Sequence, residues 1–154
     1  MREAGTVSRE ASGSGVLRQD PVGAGMLTVA RLAFGVFFVG SAVLKLGATG
    51  TMEQMLGAAG FVEPLPWIWF AAACQFLGGL ALIANRLVRW ASVGLIAYVA
   101  VVNGILHGFW ILDGEAASIQ FQLFSKNLGI IAGLLAIGGV AGTWGMSRKE
   151  VYYA

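Results

Sequence analysis

Long apolar stretches alternate with short polar connections over most of this chain. Four stretches are long enough to form helices that cross a membrane, and they run over residues 26–45, 66–85, 90–112 and 127–143. A membrane-spanning helix needs about 20 mostly apolar residues. Because lipid offers no hydrogen bonds to the backbone, such stretches must pair their own backbone groups as helices. The pattern therefore predicts an all-α, polytopic membrane protein, built as an antiparallel bundle of four transmembrane helices.

The remaining segments predict two tails and one short extra helix. Residues 1–25 are rich in Gly and Ser and mixed in charge, so they cannot bury enough apolar surface to fold, and we expect a disordered cytoplasmic tail. Residues 26–145 form the four-helix membrane domain, and residues 146–154 form a cytoplasmic C-terminal tail. In the connection after the first stretch, apolar residues recur at helical spacing over residues 51–61. This spacing predicts a short helix at the membrane interface.

Composition agrees with a surface that faces lipid. Hydrophobic residues make up 57% of the chain and charged residues only 12%, whereas soluble proteins carry about 25% charged residues. The chain contains one cysteine, Cys74, so neither an intrachain disulfide nor a Cys-x-x-Cys site can form. The basic residues do not gather into a run of the kind that binds nucleic acid, and no nucleic-acid partner is expected.

The distribution of Lys and Arg predicts the orientation. If both termini are cytoplasmic, eight of the ten basic residues lie on the cytoplasmic side: Arg2, Arg9, Arg18, Arg31, Arg86, Arg89, Arg148 and Lys149. Cytoplasmic loops of membrane proteins carry an excess of Lys and Arg. We therefore expect an N-in, C-in, multi-pass protein of the cell (inner or plasma) membrane.

Polar side chains within the apolar stretches concentrate in the outer half of the predicted bundle. They come from all four stretches and are Lys45, Gln75, Asn103, His107, Lys126 and Asn127, with Trp110 beside them. Ionisable residues inside a membrane are costly and mark functional sites. We expect an outward-facing polar pocket in which this set binds a substrate, while His107 relays a proton. A quinone head group, a thio-anion or a carboxylate would suit these donors.

Structural roles compete with that interpretation. Lys45 and Lys126 lie at the ends of apolar stretches and suit side chains that reach toward the lipid headgroups. Gln75 and Asn103 suit hydrogen bonds between helices, and His107 suits a hydrogen-bonded structural residue. Since the chain contains one histidine, no metal site is expected.

Two further features predict contacts at the helix surfaces. Small residues recur at a spacing of four, in the pairs Gly104/Gly108, Gly129/Gly133 and Gly138/Gly142. Such pairs let helices approach closely, within the bundle or between copies of the chain. Arg31, near the inner end of the first stretch, suits an anchor at the inner membrane surface.

Four pieces of the sequence resemble the DoxX family of small four-helix membrane proteins. They are RLAFGVFFVGSAVLKL in the first stretch, GFVEPLPWIWFAAACQFLGGLALI across the second, HGFW in the third and FSKNLGIIAGLL in the fourth. In this order they fall within residues 27–142. One position departs from the family: Gln75 stands where an acid usually precedes the double glycine of the second helix. A buried carboxylate that could carry a proton is therefore missing.

The resemblance implies a membrane subunit of a redox system, linked to a quinone or to a thio-anion or thiol. It carries over to Arg31, Lys45, His107, Lys126 and Asn127 as matching positions. The implied partners are the lipid bilayer and either a soluble redox subunit or further copies of this chain. No cofactor motif is evident, and quinone is the one candidate.

Two functions stay open at this point. The chain is either a subunit of a quinone-linked oxidoreductase or a non-catalytic scaffold or assembly partner of a larger complex. The lone cysteine, the glycine pairs, the missing acid at Gln75 and the absence of a cofactor motif favour the scaffold. A solute carrier or channel is disfavoured, because four spans are few for a pore.

Overall fold

The computed structural model describes residues 21–150, with side chains described as far as Ala141. Helices connected by short turns make up this part of the chain, and it contains no strand. The helices are α1 (Pro21–Gly47), α2 (Thr49–Ala58), α3 (Pro64–Ile83), α4 (Val88–Leu106) and α5 (Gly114–Glu150), with a single 3₁₀ turn at Phe109–Ile111 between the last two. The all-α class predicted from the hydrophobic pattern is confirmed.

Four of the helices in the described region are long and apolar enough to cross a membrane. These spans are Pro21–Gly47, Pro64–Ile83, Val88–Ile111 and Gly114–Ala141. The prediction of four spans is therefore confirmed, while the N-in, C-in orientation stays a prediction. The short helix predicted over residues 51–61 is present as α2, directly after the first span.

The ends of the helices differ from the predicted boundaries. α1 begins at Pro21, so residues 21–25 of the predicted disordered tail are helical. Proline suits the first turn of a helix because its missing N–H would have no partner there. α5 begins at Gly114 and ends at Glu150, so it takes in the polar segment before residue 127 and the first residues of the predicted C-terminal tail. Residues 1–20 and 151–154 of the two predicted tails lie outside the described residues.

α1 and α3 pack most closely, and glycine makes this possible. A Cβ atom added to Gly79 would lie 2.7 Å from the carbonyl oxygen of Gly35, and one added to Gly35 would lie 2.9 Å from the carbonyl oxygen of Gly79. The two backbones therefore touch directly. Among the described members of the glycine pairs predicted from spacing, a Cβ added at Gly108, Gly133 or Gly138 would contact neighbouring side chains, whereas one added at Gly104 or Gly129 would meet nothing within 4 Å.

The core lies where the four spans meet. Phe38, Leu82, Leu95 and Leu134, one from each span, are almost completely buried and belong to one cluster. α1 packs on α3, α3 on α4, and α4 on α5, while α1 also contacts α5. Large apolar side chains cover the outside of the bundle, as expected for a surface solvated by lipid.

The turn between α3 and α4 is stabilised by Arg31. Its Nη1 donates hydrogen bonds to the carbonyl oxygens of Leu82 and Ile83, the latter at 3.0 Å. These are among the last carbonyls of α3, which have no partners within the helix, and a cation is favourable at a helix C-terminus. The predicted anchor at this end of the bundle is thus also a cap on a neighbouring helix.

Candidate functional site

Two asparagines, the buried Asn103 and the half-buried Asn127, connect α4 and α5. Asn103 is 3% exposed. Its Nδ2 donates to the carbonyl oxygen of Phe124 at 3.2 Å, and its Oδ1 accepts a hydrogen bond of 3.0 Å from Nδ2 of Asn127. The two amides thus satisfy part of each other's hydrogen-bonding capacity, and they fix the register of the two helices.

His107 forms a second polar contact between the same helices. α4 ends just before it, and Nδ1 of His107 lies 2.8 Å from Oε1 of Gln120 on α5. Because an amide oxygen can only accept, this contact requires the proton on Nδ1 and leaves Nε2 of the neutral ring as an acceptor. The imidazole is therefore oriented by α5, and only Nε2 is left to receive a proton.

Aromatic rings surround the 3₁₀ turn next to His107. The ring centroid of Phe109 lies 5.2 Å from those of Trp110 and Phe121 and 5.3 Å from that of Phe124, all in edge-to-face geometry. Trp110 also contacts Phe124, and its side chain is 59% exposed. Trp110 is therefore part of an aromatic cluster between the end of α4 and the first turns of α5.

A large cavity lies on another side of the bundle, beneath α2. Its volume is about 480 Å³, and its wall comes from the end of α1, from α2, and from the facing sides of α3 and α4. The wall is almost entirely apolar and includes Met52, Met55, Trp67, Phe70, Cys74 and Ile105. Phe70 and Ile105 of this wall are also among the exposed apolar side chains, so the cavity is open to the surroundings of the bundle.

Two polar side chains in this wall make no hydrogen bond with any described residue. Lys45, at the end of α1, is half-buried, and its ammonium group makes no hydrogen bond or ion pair with any described residue. The hydroxyl group of Tyr98 likewise makes no hydrogen bond within the described part of the chain. Tyr98 lies eight residues before the end of α4 at Leu106, which is about 12 Å along the helix axis. Unsatisfied polar groups in apolar surroundings are costly, so these two are the natural contacts for a ligand.

The predicted site residues therefore fall into separate places. Of the predicted substrate-binding set, Lys45 lies in the cavity wall, and Asn103 and Asn127 bond to each other between α4 and α5. Gln75 is 6% exposed, and its Oε1 is buried without a hydrogen-bond partner. Trp110 and His107 lie at the outer ends of α4 and α5, outside the wall of the cavity beneath α2.

Lys126 shows why one shared pocket does not form. Its side chain is exposed, and no described residue pairs with it. Asn127, the next residue, faces Asn103 of α4. Successive residues on a helix are about 100° apart, because one turn takes about 3.6 residues. Lys126 and Asn127 therefore point in different directions, and the lysine points away from Asn103 at an exposed position.

Tyr98 is the cavity residue that the sequence interpretation missed. It lies within the third apolar stretch, and its position there is informative. Tyrosines in membrane helices concentrate at the two interfaces, whereas Tyr98 lies near the middle of the span Val88–Ile111. A hydroxyl group at that depth needs a partner, and this requirement could have marked it as a candidate.

The fold defines a multi-pass helical membrane protein, with a large apolar cavity beneath α2. A sequence model of the DoxX family matches residues 26–108, which is more than half of the chain, and the protein belongs to this family. The match includes Lys45, Gln75, Asn103 and His107; the resembling segment with Lys126 and Asn127 lies beyond it. Comparisons with curated proteins and with solved structures gave no match.

Proposed function

We propose that this DoxX protein is the membrane subunit of a redox system and that it binds a quinone in the cavity beneath α2. The observation that carries the proposal is the half-buried ammonium group of Lys45, which has no partner among the described residues and lies in the wall of a cavity of about 480 Å³. An apolar cavity with one cation at its edge suits an apolar molecule with an oxygen-bearing head.

The cavity fits such a ligand in size and in lining. Its volume lies within the range of roughly 300–1,000 Å³ that is usual for small-molecule sites. The apolar side chains of α3 and α4 would contact the ring and the first part of the tail, and the rest of the tail would leave through the opening into the lipid. The quinone would therefore reach the cavity from the membrane, where it is dissolved.

Lys45 and Tyr98 would supply the polar contacts. The ammonium group of Lys45 donates to a carbonyl oxygen of the head and stabilises the negative charge that develops there on reduction. The hydroxyl group of Tyr98, deeper in the same wall, donates to a second acceptor on the ligand. The surrounding apolar side chains exclude water, which strengthens both interactions.

Electrons would come from a soluble redox partner that oxidises a thiol or a thio-anion, as the family resemblance suggests. His107 is the candidate proton relay, but it lies outside the cavity wall, so it would exchange protons with the membrane surface and not with the quinone directly; Nδ1 of its ring is held by Gln120. In this arrangement the cell membrane is the site of action, with both termini in the cytoplasm.

The test uses Cys74, the single cysteine of the chain, as a reporter inside the cavity wall. The protein is placed in lipid nanodiscs, and the rate of alkylation by N-ethylmaleimide is measured against the concentration of decylubiquinone, whose substituted ring resists attack by thiols. Protection of Cys74 that saturates with quinone would give the dissociation constant. We expect Lys45→Met to weaken binding by roughly tenfold or more, since a hydrogen bond to a charged group contributes about 1.5–3 kcal/mol.

Lys126→Met is the matched control. It removes the same ammonium group from the outer end of a span, but from an exposed position without a partner, and it should leave quinone protection unchanged. Equal protection in the wild type, Lys45→Met and Lys126→Met would contradict the proposed site. Binding of quinone without any quinone reduction in membranes that contain the partner would favour a scaffold instead.

The scaffold hypothesis has one observation in its favour. The side chains of Asn103, Asn127, His107 and Gln120, which lie at the outer end of the bundle, are paired with one another. Residues paired in this way stabilise the contact between α4 and α5 without acting on a ligand. A non-catalytic assembly partner would need only this rigid surface, and it would purify with a second protein whatever the residue at position 45.

A further inference from the structure

A second, smaller cleft lies at the opposite end of the bundle. It is enclosed by α1, by the turn between α3 and α4, and by α5, and its volume is about 60 Å³. Its wall includes Leu27, Thr28, Arg31, Asn85, Val88 and Ile137. A water molecule requires about 10–15 Å³ by this measure, so the cleft has room for a few waters or for one group of the size of phosphate.

Among the side chains that the structure describes, the charges around this cleft are of one sign. Arg31 lies in its wall, and only Nη1 of its guanidinium group donates to the carbonyls of α3, which leaves the other nitrogens with N–H groups to donate. Arg86 and Arg89 are exposed on the adjoining turn and first turn of α4. The acidic residues with described side chains, Glu53, Glu63, Asp113 and Glu115, all lie at the other end of the spans.

Asn85 adds a neutral donor to the arginine. Its side chain is exposed and has no partner among the described residues. It has a positive φ of 54°, and Leu87, two residues on, also has a positive φ, of 52°. The hydroxyl group of Thr28, by contrast, donates to the carbonyl oxygen of Ala24 at 3.0 Å, so its proton is already used.

We propose that this cleft binds a phosphate group, with the guanidinium of Arg31 and the amide of Asn85 as donors. The same chemistry is offered by the headgroup of an anionic phospholipid and by free inorganic phosphate. Leu27, Val88 and Ile137 provide apolar surface next to the two donors, as a lipid with acyl chains would require. Basic pockets between transmembrane helices bind anionic headgroups in this way. The site is separate from the cavity beneath α2, and its failure would leave the proposed redox function untouched.

The test measures the thermal unfolding midpoint of the detergent-solubilised protein as ligand is added. Three probes are compared: a short-chain phosphatidylglycerol, a phosphatidylcholine of the same chain length, and inorganic phosphate. A ligand that binds the folded state raises the midpoint as its concentration passes the dissociation constant. We expect phosphatidylglycerol to bind at least fivefold more tightly than phosphatidylcholine, since each basic residue near the headgroup contributes about that factor. A rise with inorganic phosphate that also displaces the lipid would identify free phosphate as the source.

Two variants test the donors. Arg31→Gln should lower the affinity for phosphatidylglycerol by roughly fivefold, and Asn85→Gly should lower it about threefold while preserving the positive φ, which glycine adopts easily. Because Arg31 also caps α3, the asparagine variant decides the matter if Arg31→Gln does not fold. Lys126→Gln, which removes a positive charge from the opposite end, should bind as the wild type does. Wild-type affinity for phosphatidylglycerol in Asn85→Gly, or no rise of the midpoint with any of the three probes, would overturn the proposal.

Discussion

Substitution of Gly79 by alanine tests the crossing of α1 and α3. The new Cβ would lie 2.7 Å from the carbonyl oxygen of Gly35 and 3.0 Å from the backbone nitrogen of Val39, whereas ordinary contact begins at 3.4 Å. Both atoms belong to the backbone of α1 and cannot rotate away. The two helices must therefore move apart, and the cavities that open between them add to the cost.

The expected magnitude follows from two opposing effects. Alanine is better than glycine inside a helix by about 0.5–1 kcal/mol. Overpacking of a tight interface costs about 1–3 kcal/mol, and the cost should lie at the upper end because the clash is with backbone. Gly79→Ala should thus lower the free energy of unfolding by roughly 1–2 kcal/mol.

Gly40→Ala is the control in the same helix pair. A Cβ at Gly40 meets nothing within 4 Å, so this variant should be neutral or more stable by up to about 1 kcal/mol. The assay is reversible unfolding in mixed micelles of increasing SDS content, followed by far-UV circular dichroism. If the unfolding free energies of Gly79→Ala and Gly40→Ala agree within about 0.5 kcal/mol, the close backbone contact does not exist in the membrane.

Two more predictions concern the buried amides and use the same assay. In a double-mutant cycle, Asn103→Ala and Asn127→Ala should show a coupling free energy of about 0.6 kcal/mol, and at most about 1.7 kcal/mol. These are the average and the largest values for hydrogen bonds between membrane helices. If the effects of the two substitutions are additive, the 3.0 Å hydrogen bond contributes nothing to stability. Gln75→Met should raise the free energy of unfolding by about 1 kcal/mol, because it removes a buried oxygen that has no partner and keeps a similar volume. Gln122→Met is the control, because this residue is exposed, and it should not stabilise the protein. A loss of stability in Gln75→Met would instead show that the amide of Gln75 has a hydrogen-bond partner.

The hydrophobic pattern was sufficient to predict the architecture, because the long apolar stretches are the segments that lipid can surround. The four spans are the four long apolar runs, and α2 follows from apolar residues at helical spacing. The pattern was less informative at the helix ends. The segment from Gly114 to Lys126 contains enough polar residues to suggest a separate element, yet it continues into the fourth span without a break.

The candidate site was harder to predict, because the depth of a residue in the membrane does not determine the direction in which its side chain points. Lys45, Lys126 and His107 were placed at the same outer level from the sequence. In the structure Lys45 lies in the wall of a cavity, Lys126 is exposed and points away from the bundle, and His107 contacts Gln120. Because successive residues of a helix point in different directions, the sequence alone could have predicted that Lys126 and Asn127 do not face the same site.

Contacts between distant parts of the chain were the other limit. Spacing within one sequence segment can find glycine pairs on one helix, such as Gly129 and Gly133. It cannot find Gly35 against Gly79, because these residues come from different helices and their meeting depends on the crossing point. The cavity beneath α2 has the same origin, since four separate elements contribute to its wall.

The length of α5 has a mechanical consequence. Its 28-residue span Gly114–Ala141 is uninterrupted, about 42 Å long, and so exceeds the hydrocarbon thickness of about 30 Å. In an untilted helix the first turns of α5, ahead of Gln120 and its contact with His107, would therefore project beyond the hydrocarbon as a stiff lever that is continuous with the buried part of the helix. A one-degree tilt about the midpoint displaces each end by roughly 0.4 Å, so a molecule that pushes on the projecting turns would shift the inner end in the opposite direction.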